Sequence, residues 1–95
     1  MNLVVTQTNV TNFVSEKISD LTRKPELKHL LTLTDRMLDF GMTSKIFIQL
    51  IVEIEHRYDI YFRDNELWLN GFDSIGDLVD RIVEELYAST AHPFS

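Results

Sequence analysis

The chain has 95 residues, 44% apolar and 25% charged, which suits one globular core and leaves no room for a second. With no cysteine, it cannot build a disulfide framework, a thiolate zinc site or a cysteine nucleophile. Nine Lys and Arg against fifteen Asp and Glu give a net charge of −6, which argues against binding to a nucleic-acid backbone, where cationic side chains must release counterions.

Three Gly and two Pro leave few obligatory turns, so a helical domain is favoured over a many-stranded sandwich. No run approaches the ~18 consecutive apolar residues of a membrane span. Met1 to Val5 lacks the cationic and apolar regions of a secretory signal, so the expected location is cytoplasmic. The expectation is one domain over 1–95, with its core over about 8–87, acting as a monomer.

The first helix pattern is Val10, Phe13, Val14, Ile18 and Leu21, steps of three and four that define one apolar face. Thr8 is placed to cap it. A long connection follows from Thr22 to about Thr43, carrying Pro25 and the polar run Thr32 to Arg36. It also holds Leu27, Leu30, Leu31, Leu33, Met37 and Leu38, which predict that it packs over the bundle with a short helical turn. The second helix is predicted over Ser44 to about Tyr58, with Ile46, Phe47, Leu50, Ile51, Ile54 and Tyr58 on its core arc. A short third helix is expected over Asn65 to Leu69, with Trp68 as a core anchor. The last helix is predicted from Ser74 to about Tyr87, with Ile75, Leu78, Val79, Ile82, Val83 and Leu86 inward. Ser74 and Asp77 have capping-box spacing, and Asp77 and Arg81 stand at i,i+4 in the favourable order. Residues 88–95 are expected to fray. The fold class is therefore all-α: three main helices, one short helix and a long first loop.

On the second helix, Ser44, Ile48 and Val52 are spaced i, i+4, i+8 and form a stripe outside the core arc. Either the long first loop covers that stripe, or its apolar side chains are scattered surface residues that need no explanation, or it is a docking surface headed by a hydroxyl. Ser44 stands at the helix start, where backbone N–H groups and the macrodipole favour a phosphate ester, although most hydroxyls there serve only as caps. Gly41-Met42-Thr43-Ser44 lacks the flanking glycines of a nucleophile elbow.

The stretch Leu38-Asp39-Phe40-Gly41-Met42-Thr43-Ser44-Lys45-Ile46, continuing to Tyr58-Asp59-Ile60, resembles the acyl carrier and peptidyl carrier protein family. Phe40-Gly41 matches that family's Leu-Gly pair, and Ser44 matches the serine that bears 4′-phosphopantetheine. Ser74 to Ile82 resembles the start of the family's last helix, so the resemblance spans about residues 8–87. It implies a four-helix carrier bundle with Ser44 as attachment site, Gly41 turning the loop into the helix and Thr43 capping it. It also implies that Ile48 and Val52 contact partners, flanked by Lys45 and Gln49. Those partners would be a phosphopantetheinyl transferase, acyl- or aminoacyl-loading enzymes and downstream biosynthetic enzymes, with no nucleic acid or membrane among them. The thioester thiol would come from the arm, since the chain has no cysteine. Thr43 stands where the family usually has Asp, and Lys45 where it usually has Leu or Ile. These departures favour a dedicated pathway resembling nonribosomal peptide or polyketide assembly over fatty acid synthesis. The alternative is an unmodified adaptor that keeps the carrier fold and acts only by binding proteins.

Other constellations are poorer. His29, His56 and His92 lie far apart, so no metal site is expected. The acidic stretch from Asp59 to Asp77 lacks the ligand spacing of an EF-hand. Glu53 with Glu55, and Glu84 with Glu85, diverge on a helix and are not paired catalytic carboxylates. No catalytic residue is assigned, so the chain reads as a non-enzyme. Residues 1–58 hold seven acidic and seven basic side chains, so the whole −6 falls in residues 59–95.

Overall fold

A computed structural model describes residues 7–62 and 71–91, with side chains as far as residue 88. Four helices occur among them: α1 (Gln7–Thr22), α2 (Leu27–Leu30), α3 (Ser44–Tyr58) and α4 (Ile75–Ala91). No strand occurs among the described residues beyond an isolated antiparallel bridge between Arg36 and Ser74. The short helix expected over 65–69, with Trp68, lies outside the described residues, as does His92.

Helix α1 buries Val10, Val14 and Ile18, with Phe13 and Leu21 packed at the rim. Thr8 lies within α1 instead of capping it, since the helical conformation already includes Gln7. The helix ends in a Schellman closure. The N–H of Arg23 bonds to the Asp20 carbonyl at 3.3 Å and that of Lys24 to the Ser19 carbonyl at 3.0 Å, with Arg23 left-handed at φ 60°. Pro25 follows and blocks further helix.

The long connection contains a helix of its own. Leu27 anchors α2 in the core, and Met37 is fully buried, while Leu31 and Leu33 pack against the core edge. Leu30 and Leu38 instead face solvent. The remainder of the connection is stitched to the start of α4. Gly76 donates to the Leu33 carbonyl, Ile75 to that of Asp35 and Met37 to that of Asp73, at 2.8, 2.9 and 3.0 Å. These bonds satisfy backbone groups that would otherwise be orphaned where loop and helix end meet.

Helix α3 has the expected bounds. Phe47, Leu50, Ile51 and Ile54 are buried, and Ile46 and Tyr58 pack at the edge of the same arc. It closes on left-handed Asp59, with the N–H of Ile60 reaching the Glu55 carbonyl at 3.3 Å and the Ile60 side chain buried. An aromatic-Asp-Ile run thus has a physical reason: Asp tolerates the left-handed turn, and Ile seals it. Helix α4 buries Ile75, Leu78, Val79 and Ile82 and runs to Ala91, past the expected end at Tyr87. Ser74 and Asp77 form the capping box: Asp77 N–H donates to Ser74 Oγ, and Ser74 N–H to Asp77 Oδ2, both at 3.2 Å. Arg81 reaches Glu84 at 3.3 Å and Glu85 at 2.7 Å.

Candidate functional site

The approach to α3 is built from two left-handed residues followed, after Met42, by an extended cap. Phe40 and Gly41 are both left-handed, at φ 52° and φ 83°. For Phe40 this costs on the order of 1–2 kcal/mol, whereas Gly41 adopts it without a side-chain penalty. The reversal lets the Phe40 ring pack on the core edge and sends Met42 into the core. Thr43 is then extended, at φ −124° and ψ 166°, and its Oγ1 accepts from the Ile46 N–H at 3.2 Å. Its carbonyl accepts from Phe47 N–H at 2.8 Å.

Ser44 is therefore the first residue of α3 and is exposed. Thr43 satisfies the donors of Ile46 and Phe47, but among the described residues no acceptor meets the N–H groups of Ser44 or Lys45. The start of α4 contrasts with this, because Ile75, Gly76 and Asp77 all have their N–H groups engaged. An anion borne on Ser44 would meet two open donors and the positive end of a fifteen-residue helix.

Behind Ser44, the stripe is open. Ile48 is 40% exposed and Val52 55%, so the first loop does not cover them. Lys45 and Gln49 are also exposed on their flank. Farther along, a groove of about 200 Å³ is lined by Val52, Glu55, His56, Asp59 and Tyr61. Glu55 is engaged there, its Oε2 accepting from Phe62 N–H at 2.9 Å. On the side facing α1, Lys17 pairs with Glu53 at 3.6 Å, and Lys17 and Arg57 both lie over the Phe13 ring, 5.7 and 5.5 Å from its centroid. Phe13 in turn meets Tyr58 edge-on at 5.5 Å. Most charges on α3 are thus committed within the fold, leaving Lys45 as the α3 charge beside Ser44.

Helical spacing singles out Ser44, Ile48 and Val52, the family resemblance adds Gly41, Thr43, Lys45 and Gln49, and in the structure all seven lie along one helix and its entry turn. Spacing and resemblance do not identify Lys24, whose Nζ donates to the Phe40 carbonyl at 3.2 Å. Nor do they identify the dependence of the α4 start on Leu33, although a glycine inside a helical pattern costs ~1 kcal/mol against alanine and so points to a packing constraint there.

A helical bundle that presents an exposed serine at a helix start, with an apolar stripe behind it, has the form of a carrier-protein bundle. Residues 12–82 match the family model described as a phosphopantetheine attachment site, and the chain belongs to that family. Its cofactor is 4′-phosphopantetheine, held covalently on a serine. Domains of this kind are generally non-catalytic and act with a phosphopantetheinyl transferase and biosynthetic enzymes. No curated protein and no solved structure gives a match to the chain. No helix among the described residues is long and apolar enough to cross a membrane.

Proposed function

We propose that Ser44 is the serine that carries the 4′-phosphopantetheine arm, and that the chain works as a discrete acyl or aminoacyl carrier. The observation that carries this reading is exposed Ser44 at the head of α3, beside two N–H groups that meet no acceptor among the described residues. These donors suit the phosphodiester, which keeps a negative charge at neutral pH. Gly41 and Thr43 hold the turn, while Lys45, Ile48, Gln49 and Val52 form the surface that partners read. The arm supplies the thiol on which a thioester forms. The chain itself contributes position and effective concentration, and its partners perform the catalysis.

A pathway resembling nonribosomal peptide or polyketide assembly is supported by Thr43 and Lys45, which alter the charge and shape beside the serine. The described residues then act as one carrier unit with a transferase, loading enzymes and downstream enzymes as partners. Intact mass spectrometry after incubation with coenzyme A and a broad-specificity transferase tests the reading. One phosphopantetheine is expected on the wild-type chain and none on Ser44→Ala. A mass gain that survives Ser44→Ala overturns the site, and no gain with any transferase leaves a carrier-fold adaptor.

A further inference from the structure

Lys24 lies two residues beyond the C-terminal end of α1, yet its ammonium reaches the turn that leads into Ser44. Its Nζ donates to the Phe40 carbonyl at 3.2 Å, across a separation of sixteen residues. A Cβ placed on Gly41 would come within 3.0 Å of that Nζ and 3.7 Å of Cε, so the lysine lies over the glycine. The backbone of Lys24 is itself fixed. Its N–H bonds to the Ser19 carbonyl at 3.0 Å, and its carbonyl accepts from the buried Ser19 hydroxyl at 2.9 Å and from Leu27 N–H at 2.9 Å. A continuous chain of contacts therefore runs from buried Ser19, through Lys24, to the two successive left-handed residues Phe40 and Gly41.

Strained left-handed geometry at a bulky residue persists only where its surroundings impose it. Here the Phe40 ring is held by the core edge and its carbonyl by Lys24. Three residues on from Phe40, Thr43 caps α3, and Ser44 is the first residue of that helix.

We propose that Lys24 is a positioning residue for modification of Ser44, acting by clamping the Phe40–Gly41 turn. The proposal rests on Ser44 being the attachment site. Without the ammonium, the turn samples other conformations, and a transferase meets the productive arrangement in only a fraction of encounters. The effect belongs in the KM for the carrier, because Lys24 is not assigned any contact with the reacting hydroxyl.

The test compares wild type, Lys24→Met and Lys24→Arg, using coenzyme A and one broad-specificity transferase. Methionine keeps an unbranched stem over Gly41 but removes the donor. Lys24→Met is expected to raise the KM for the carrier roughly three- to ten-fold, the scale of one lost solvent-exposed hydrogen bond, with kcat little changed. Lys24→Arg should recover most of the loss. In amide NMR spectra, Lys24→Met should shift Gly41, Met42, Ser44 and Lys45 while leaving α4 in place, and hydrogen exchange at Met42 and Ile46 should quicken. A wild-type KM in Lys24→Met overturns the proposal, as do unshifted loop amides. So does a loss matched by shifts throughout α4 and a lower melting temperature, which would show a purely structural lysine. If the wild-type chain gains no mass at Ser44, the attachment reading fails. The loop amides then still decide whether Lys24 clamps the turn.

Discussion

The N–H of Gly76 donates to the Leu33 carbonyl at 2.8 Å, and a Cβ on Gly76 would stand 2.9 Å from that same oxygen. The hydrogen bond and the absence of a side chain are one requirement, because any side chain would push away its acceptor. Neighbouring bonds from Ile75 to Asp35 and from Met37 to Asp73 depend on the same approach. Gly76→Ala should therefore lower stability by about 1–3 kcal/mol, despite the ~0.5–1 kcal/mol that alanine gains inside a helix. Urea denaturation measures this directly. A variant as stable as wild type, or more so, would show that the first loop is not held by the α4 start.

Thr43 offers a second stability measurement with a functional edge. Removing its hydroxyl leaves the Ile46 N–H without its cap, so Thr43→Ala should cost about 1 kcal/mol. Thr43→Asp retains an acceptor and adds a negative charge at the positive end of α3, for a gain of about 0.3–1 kcal/mol at low salt. Denaturation curves at two salt concentrations separate the cap from the charge, since only the charge effect should fade.

Adjacent residues on α3 should respond in opposite ways. Phe47 is fully buried, with its ring 5.9 Å from that of Phe72, and Phe47→Ala is expected to cost about 3–5 kcal/mol. Ile48, 40% exposed, should tolerate Ile48→Glu within about 0.5 kcal/mol while weakening turnover with the transferase. Thermal melts and transferase kinetics on the two variants provide the comparison. Severe unfolding of Ile48→Glu would place that residue in the core.

Docking at that stripe should depend only weakly on salt. Glu53 is paired with Lys17, Arg57 lies over Phe13, and the net negative charge falls in residues 59–95. Apolar contact is little screened, whereas exposed ion pairs separated by more than ~10 Å lose most of their interaction at 0.1 M salt. The KM of the transferase for the carrier, measured from low to physiological salt, should change only slightly. A steep rise would show that charge governs docking.

Tyr58 links the fold to alkaline pH. Burial raises its pKa above the ordinary value of 10.0, with the Arg57 charge and hydrogen bond partly offsetting that rise. The folded pKa exceeds the unfolded one, so this contribution is fully present below pH 10 and is lost as pH climbs through the folded value. Wild type should therefore lose more stability above pH 10 than Tyr58→Phe does. Parallel denaturation series across that range, with phenolate absorbance as the titration signal, check the sign.

The bounds of α3, the inward arc of α4 and the Ser74–Asp77 capping box could be read from spacing, because each depends on residues within a turn or two of one another. The stripe of Ser44, Ile48 and Val52 was visible for the same reason, but whether the first loop covered it was not. That depended on where Leu27, Leu31, Leu33 and Met37 settle, and periodicity does not report a loop's path. The small helix α2 was anticipated only as a turn, since four residues are too short to establish a period.

Helical spacing along the chain thus determined which faces turn inward and where a serine heads a helix, since those properties follow from 3.6 residues per turn. Tertiary structure decided the path of the first loop and the turn that precedes that serine. The bonds from Gly76 to Leu33 and from Lys24 to Phe40 join positions forty-three and sixteen residues apart. Such contacts satisfy backbone carbonyls, which every residue possesses, and so leave no distinctive pattern of side chains in the sequence.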